Sequence, residues 1–126
     1  MSYRDPLPEG CPPDAAEEIS TSRAGFRLVR SDPPTLDDFR SQRQEKPDRK
    51  FSGVTECQTC GLSVFAEKRD AEAKALKLPH LKTRKLCRVT LPAGAGRIQP
   101  TFQPSHHTWW PLAAFDILVH CGMETA

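Results

Sequence analysis

At 126 residues the chain has room for a single hydrophobic core, and its 27% charged and 37% hydrophobic residues place it outside both the disordered and the membrane-embedded classes. A net charge of +2 singles out no polyanionic partner, yet nine basic residues stand against four acidic ones between positions 51 and 97, which leaves room for a nucleotide or nucleic acid. No run approaches the roughly 18 apolar residues of a membrane span. The opening MSYRDPLPEG lacks the apolar centre of a signal peptide, so a soluble cytoplasmic protein is expected. Five cysteines, an odd number, favour reduced thiols or a metal site over a closed disulfide framework.

Residues 1–22, with prolines at 6, 8, 12 and 13, read as a proline-rich N-terminal tail, and residues 23–126 as one domain. Such a tail buries too little apolar surface to order itself alone. Gly25–Arg30 alternates as a first strand, Phe26 and Leu28 on one face, Arg27 and Val29 on the other. Arg27 is thereby a candidate to pair a carboxylate or phosphate. Thr35 suits the cap of a short helix through Asp37, Asp38 and Phe39, with Leu36 and Phe39 as its buried stripe, and Arg40, Gln42, Arg43 and Gln44 as its solvent face.

Cys57-Gln-Thr-Cys60-Gly61 is the one compact ligand motif, since two thiolates with this spacing can meet one tetrahedral zinc ion. It is half a site. No second pair follows at matching spacing, and Cys87 lies on the apolar face of a clean strand, Leu86–Leu91. Leu62–Phe65 reads as a short strand carrying Ser63. A helix spans Ala66–Leu78, with Ala71, Ala75 and Leu78 as its apolar stripe, Leu76 beside them, and Lys68, Arg69, Lys74 and Lys77 outward. The basic loop after it contains no interleaved aromatics, so the nucleic-acid signal is weak. Arg97-Ile98-Gln99 begins another strand that Pro100 and Pro104 interrupt.

Ser105-His106-His107-Thr108-Trp109-Trp110-Pro111 gathers two of the four histidines and both tryptophans. Imidazoles handle protons and tandem indoles present stacking faces, so this is the leading candidate site. Neighbouring histidines point apart, which argues against a joint metal site here. Pro111 then suits the first turn of a last helix, with Leu112, Phe115, Leu118 and Val119 as its apolar residues and Gly122 ending it, although Ile117 and Val119 also suit a strand. One indole is expected in the core and the other beside His107 at the mouth of a cleft.

The sum is an α+β fold, a small, mostly antiparallel sheet with about three helices. The order strand Gly25–Arg30, helix, strand with Ser63, alanine-rich helix and strand Leu86–Leu91 resembles small mono-ADP-ribosyltransferase-like domains over residues 25–98. That resemblance implies NAD as ligand, with Arg27 on its pyrophosphate, Ser63 at the nicotinamide ribose, and His106 or His107 in place of the family's glutamate. Three functions follow. The first is a recognition domain that binds a protein or nucleotide-like ligand through Arg27, His107, Trp109 and Trp110. The second is an ADP-ribosyl-transferring or NAD-cleaving enzyme using Arg27, Ser63, His106 and His107. The third is a zinc-stabilised binding module built on Cys57 and Cys60.

Overall fold

Seven strands organise residues 2–124, the residues described in the computed structural model. They are β1 (Glu17–Glu18), β2 (Arg23–Val29), β3 (Leu62–Phe65), β4 (Lys85–Leu91), β5 (Gly96–Phe102), β6 (His106–Pro111) and β7 (Cys121–Met123). In space they run β1-β5-β6-β3-β2-β4-β7, and every pairing is antiparallel. Three helices complete the α+β fold: single turns α1 (Gln42–Glu45) and α2 (Glu56–Thr59), and the longer α3 (Lys68–Lys77). No helix among the described residues is long and apolar enough to cross a membrane.

Register sorts the side chains onto two faces. Leu62, Val64, Cys87, Val89, Leu91, Ile98 and Trp109 share one face and form the main core with Ile19, Val29, Phe39, Ala95 and Ile117. Phe26, Leu28, Phe65 and Leu86 share the other, where Ala71 of α3 packs on them. The inward stripe of α3 is as expected at Ala71, Ala75 and Leu78, whereas Leu76 is exposed.

The segment read as a tail is laid into the fold. Tyr3 bridges Leu112, the backbone N–H of Arg4 donates to the Pro111 carbonyl at 3.0 Å, β1 extends the sheet beside β5, and Ala16 and Ile19 are buried. Its apolar side chains find cover in the domain, as a segment too poor in them to fold alone must. Thr35 does open a helical turn, a 3₁₀ segment over Leu36–Phe39, and Asp38 anchors it by accepting from the backbone N–H groups of Thr35 at 2.9 Å and Arg30 at 2.8 Å. Burial alone would raise the Asp38 carboxyl, but these donors hold it below its ordinary range. Leu36, expected inside, is exposed, because the tight turn leaves Phe39 alone facing the core.

The last helix is corrected. Trp109, Trp110 and Pro111 end β6, the chain then turns, and only a 3₁₀ turn over Leu118–His120 precedes β7. Leu118 and Val119 are exposed, so the apolar residues expected to hold a helix down do not. Phe115 instead stands edge-on to Trp109 at 5.8 Å and stacks on His120 at 4.6 Å, and Ile117 enters the core.

Candidate functional site

The face that α3 covers only in part leaves a cleft of about 640 Å³. Its floor is β3 and β6, which present Ser63, Phe65, His106 and Thr108 on one side of the sheet. α3 and the turn after it contribute Lys74, Lys77 and Arg84, the β5–β6 hairpin contributes Phe102 and Pro104, and the α1–α2 region contributes Arg40, Glu45 and Gln58.

Arg27 reaches the cleft through a gap in the sheet. β2 and β3 pair only at Phe26 with Phe65 and then part. The guanidinium fills the opening, Nη1 donating to the Ser63 carbonyl at 2.8 Å and Nε to the Asp38 carbonyl at 2.9 Å, with the Phe39 ring centroid 5.5 Å away. The Ser63 carbonyl, which strand pairing would have satisfied, is satisfied by a side chain instead. Burial, aided by Arg4, lowers the guanidinium to about 10, so Arg27 remains cationic at neutral pH.

His106 stands beside a short hydroxyl relay. Thr108 Oγ1 donates to Thr101 Oγ1 at 3.2 Å, which lies 2.8 Å from His106 Nδ1. The ring sits edge-on to Phe65 and tilted to Phe102, both at 5.2 Å. Burial first, then the charges of Lys74, His107 and Arg27, depress His106 to about 4. At neutral pH it is an uncharged imidazole in a cationic setting.

The cationic setting is uncompensated. Of the cleft's carboxylates, Glu45 faces Arg30 at 3.5 Å and Asp70 accepts from the Ser105 hydroxyl at 2.8 Å. Among the described residues no carboxylate pairs with Lys74, Lys77 or Arg84. Lys74 and Lys77 also suit the C-terminal turn of α3, where the helix dipole favours positive charge.

No family model, curated protein or solved structure matches the chain. The site's meaning therefore rests on its own chemistry.

Three sequence candidates, Arg27, Ser63 and His106, come together in this cleft. The others do not. His107 alternates to the opposite face, where its Nδ1–H donates to the Ser105 carbonyl at 2.7 Å. The expectation of one presented indole is corrected, since Trp109 is 0% and Trp110 1% exposed. Neighbours on a strand face opposite sides, and here both sides are covered. Each indole N–H donates to a carbonyl at 3.0 Å, Trp109 to Ala95 and Trp110 to Cys57.

The zinc pair is corrected too. Cys57 forms a disulfide with Cys11, so its sulfur is not a thiolate, and these two cysteines depart from the expectation of reduced thiols or a metal site. Cys60 is buried, and burial with the nearby Glu56 carboxylate raises its thiol. Among the described residues no three His, Cys, Asp or Glu side chains cluster as a metal site.

Sequence reasoning missed Phe102 as a cleft component and Thr101 as the hydroxyl beside His106. The Gln103-Pro104-Ser105 turn between two short runs was the available signal. Recognised as a hairpin, it would have set Phe102 opposite His106 and brought Thr101 near both.

Proposed function

We propose that this protein is a small recognition domain that binds an anionic, nucleotide-like ligand in the cleft beneath α3, rather than through an indole patch. The observation that supports it is the convergence of Arg27, Ser63 and His106 with Lys74, Lys77 and Arg84, cations that no carboxylate of the described residues neutralises. A concave site with excess charge of one sign concentrates ligands of the other, and this one also offers an apolar wall to a ring. A protein partner held by Trp109 and Trp110 loses its basis, because neither indole reaches the surface.

The test is calorimetry of the whole chain with nucleotides, beside a Lys74→Glu/Lys77→Glu variant. Both lysines are exposed, and a circular dichroism melt of the variant checks that reversing their charge at the C-terminal turn of α3 leaves the fold intact. Binding that the double variant abolishes supports the reading, and equal affinity in both proteins sinks it.

A second reading, ADP-ribosyl transfer or NAD cleavage, draws on the same convergence of Arg27, Ser63 and His106. Two features weigh on it. Arg27 directs its donors to backbone carbonyls rather than outward, and the cleft carboxylates Glu45 and Asp70 already have partners. Incubation with labelled NAD separates the two: binding without release of nicotinamide favours recognition, and turnover that Ser63→Ala reduces favours the enzyme.

A further inference from the structure

The two ring nitrogens of His106 have different circumstances. Nδ1 is 2.8 Å from Thr101 Oγ1, and that hydroxyl in turn accepts from Thr108 Oγ1 at 3.2 Å. Thr101 has a single proton to give. Its possible acceptors are Nδ1 and the His106 carbonyl, the latter at 3.5 Å. Where Thr101 gives its proton to the nearer Nδ1, Nδ1 is an acceptor and the ring's remaining proton is on Nε2. Nε2 has no partner among the described residues and is not a buried, unsatisfied atom, so it opens to the cleft.

Beside it stands Phe102, a large apolar ring that is 49% exposed. Pro104 continues this apolar wall. The hairpin side of the cleft thus carries an aromatic face and one neutral N–H donor, while the α3 side carries Lys74, Lys77 and Arg84.

We infer that His106 is the specificity-determining residue of the cleft: its Nε2–H donates to an acceptor on a planar heterocycle laid against Phe102, and the ligand's phosphate lies toward Lys74, Lys77 and Arg84. This rests on the cleft being the nucleotide-like anion site proposed above, and it adds which part of the ligand each wall reads, the base on the hairpin side and the phosphate on the α3 side. Thr101 and Thr108 are positioning residues that set the tautomer. Because the imidazole is uncharged, it selects for a ring carbonyl or ring nitrogen instead of competing with the lysines for phosphate.

The experiment compares AMP, GMP, CMP and UMP with ribose 5-phosphate and the four nucleosides, by calorimetry on the whole chain. At least one nucleotide is expected to bind about tenfold tighter than ribose 5-phosphate, the increment of one stacked, hydrogen-bonded base. Phe102→Ala, at an exposed position, should erase that gap and leave ribose 5-phosphate binding unchanged, and His106→Phe should shrink it. Equal affinity for nucleotides and ribose 5-phosphate overturns the ring assignment and leaves the anion site standing. Binding of nucleosides as tight as of nucleotides overturns the anion reading, as does no binding of any phosphate compound. Independently of any ligand, ¹⁵N shifts of the His106 ring should report the Nε2–H tautomer in the wild type, and a proton found on Nδ1 sinks the donor role.

Discussion

Arg27 Nη1 donates to the Ser63 carbonyl at 2.8 Å across the gap where β2 and β3 separate. One side chain thereby closes the sheet and charges the cleft. Arg27→Ala leaves the Ser63 and Asp38 carbonyls without these donors and is expected to destabilise the fold by about 2–3 kcal/mol, the scale of hydrogen bonds from a charged group. Arg27→Lys should recover only part, because an ammonium cannot span both carbonyls. Urea unfolding measures both. A stable Arg27→Ala protein that has lost only ligand affinity would make the residue purely functional.

Trp109 and Trp110 should behave alike although they face opposite sides of the sheet. Truncating either to Ala is expected to cost about 3–5 kcal/mol. Trp→Phe at either position should cost less but still leave the Ala95 or Cys57 carbonyl short of a donor. Acrylamide quenching gives a direct check: both indoles should be shielded in the native state, and quenching of one at the rate of free tryptophan would return it to the surface.

Gly96 has φ +125°, and a Cβ there would come within van der Waals overlap of the Trp110 carbonyl in the neighbouring strand. Gly96→Ala is therefore expected to abolish folding. Gly94, with φ +88° but open space around it, is the control, and Gly94→Ala should cost about 1 kcal/mol or somewhat more in backbone strain alone. Similar circular dichroism melts for the two variants would remove the packing argument.

His106 imposes a pH dependence of defined sign. Its pKa falls from an ordinary 6.5 to about 4 in the folded protein, so between these values the unfolded chain binds the extra proton. The stability gained from keeping the ring neutral is complete above about 6.5, declines as pH falls, and is gone below about 4. Unfolding free energies of His106→Phe should show a shallower slope over that window. An equal slope in both proteins assigns the acid sensitivity to other groups.

The Cys11–Cys57 disulfide spans 46 residues and ties the N-terminal segment to α2. In the chain-entropy view such a loop contributes roughly 4 kcal/mol by restricting the unfolded state. Cys11→Ser/Cys57→Ser, or full reduction, should lower the melting temperature by many degrees. Unchanged melting on reduction would show that the pairing is energetically idle.

Local pattern carried the central fold. β2, β3, α3 and β4 were legible because alternation and helical spacing coincide with one-sided burial, and they brought Arg27 and Ser63 with them. What lay outside was long-range. β1 is two residues whose identity as a strand depends on β5 lying alongside, and Cys11 meets Cys57 only after the chain has folded back. His-His-Thr-Trp-Trp misled because its composition suggested a surface patch, whereas a strand covered on both sides buries every residue from Thr108 to Pro111. The expected last helix failed for a related reason. Leu112 and Phe115 satisfy helical spacing, and a tight turn satisfies it equally well.

β6 serves two compartments at once, His106 and Thr108 in the cleft, His107 and Trp109 on the core side. A slip of one residue would exchange the two sets, and the close fit of Gly96 and Gly61 against this strand opposes any such slip. The cleft floor consequently shares the stiffness of the core, and adaptation to a new ligand has to come from the helix and hairpin walls. One strand thereby carries side chains of the cleft at 106 and 108 and side chains on the core side at 107 and 109.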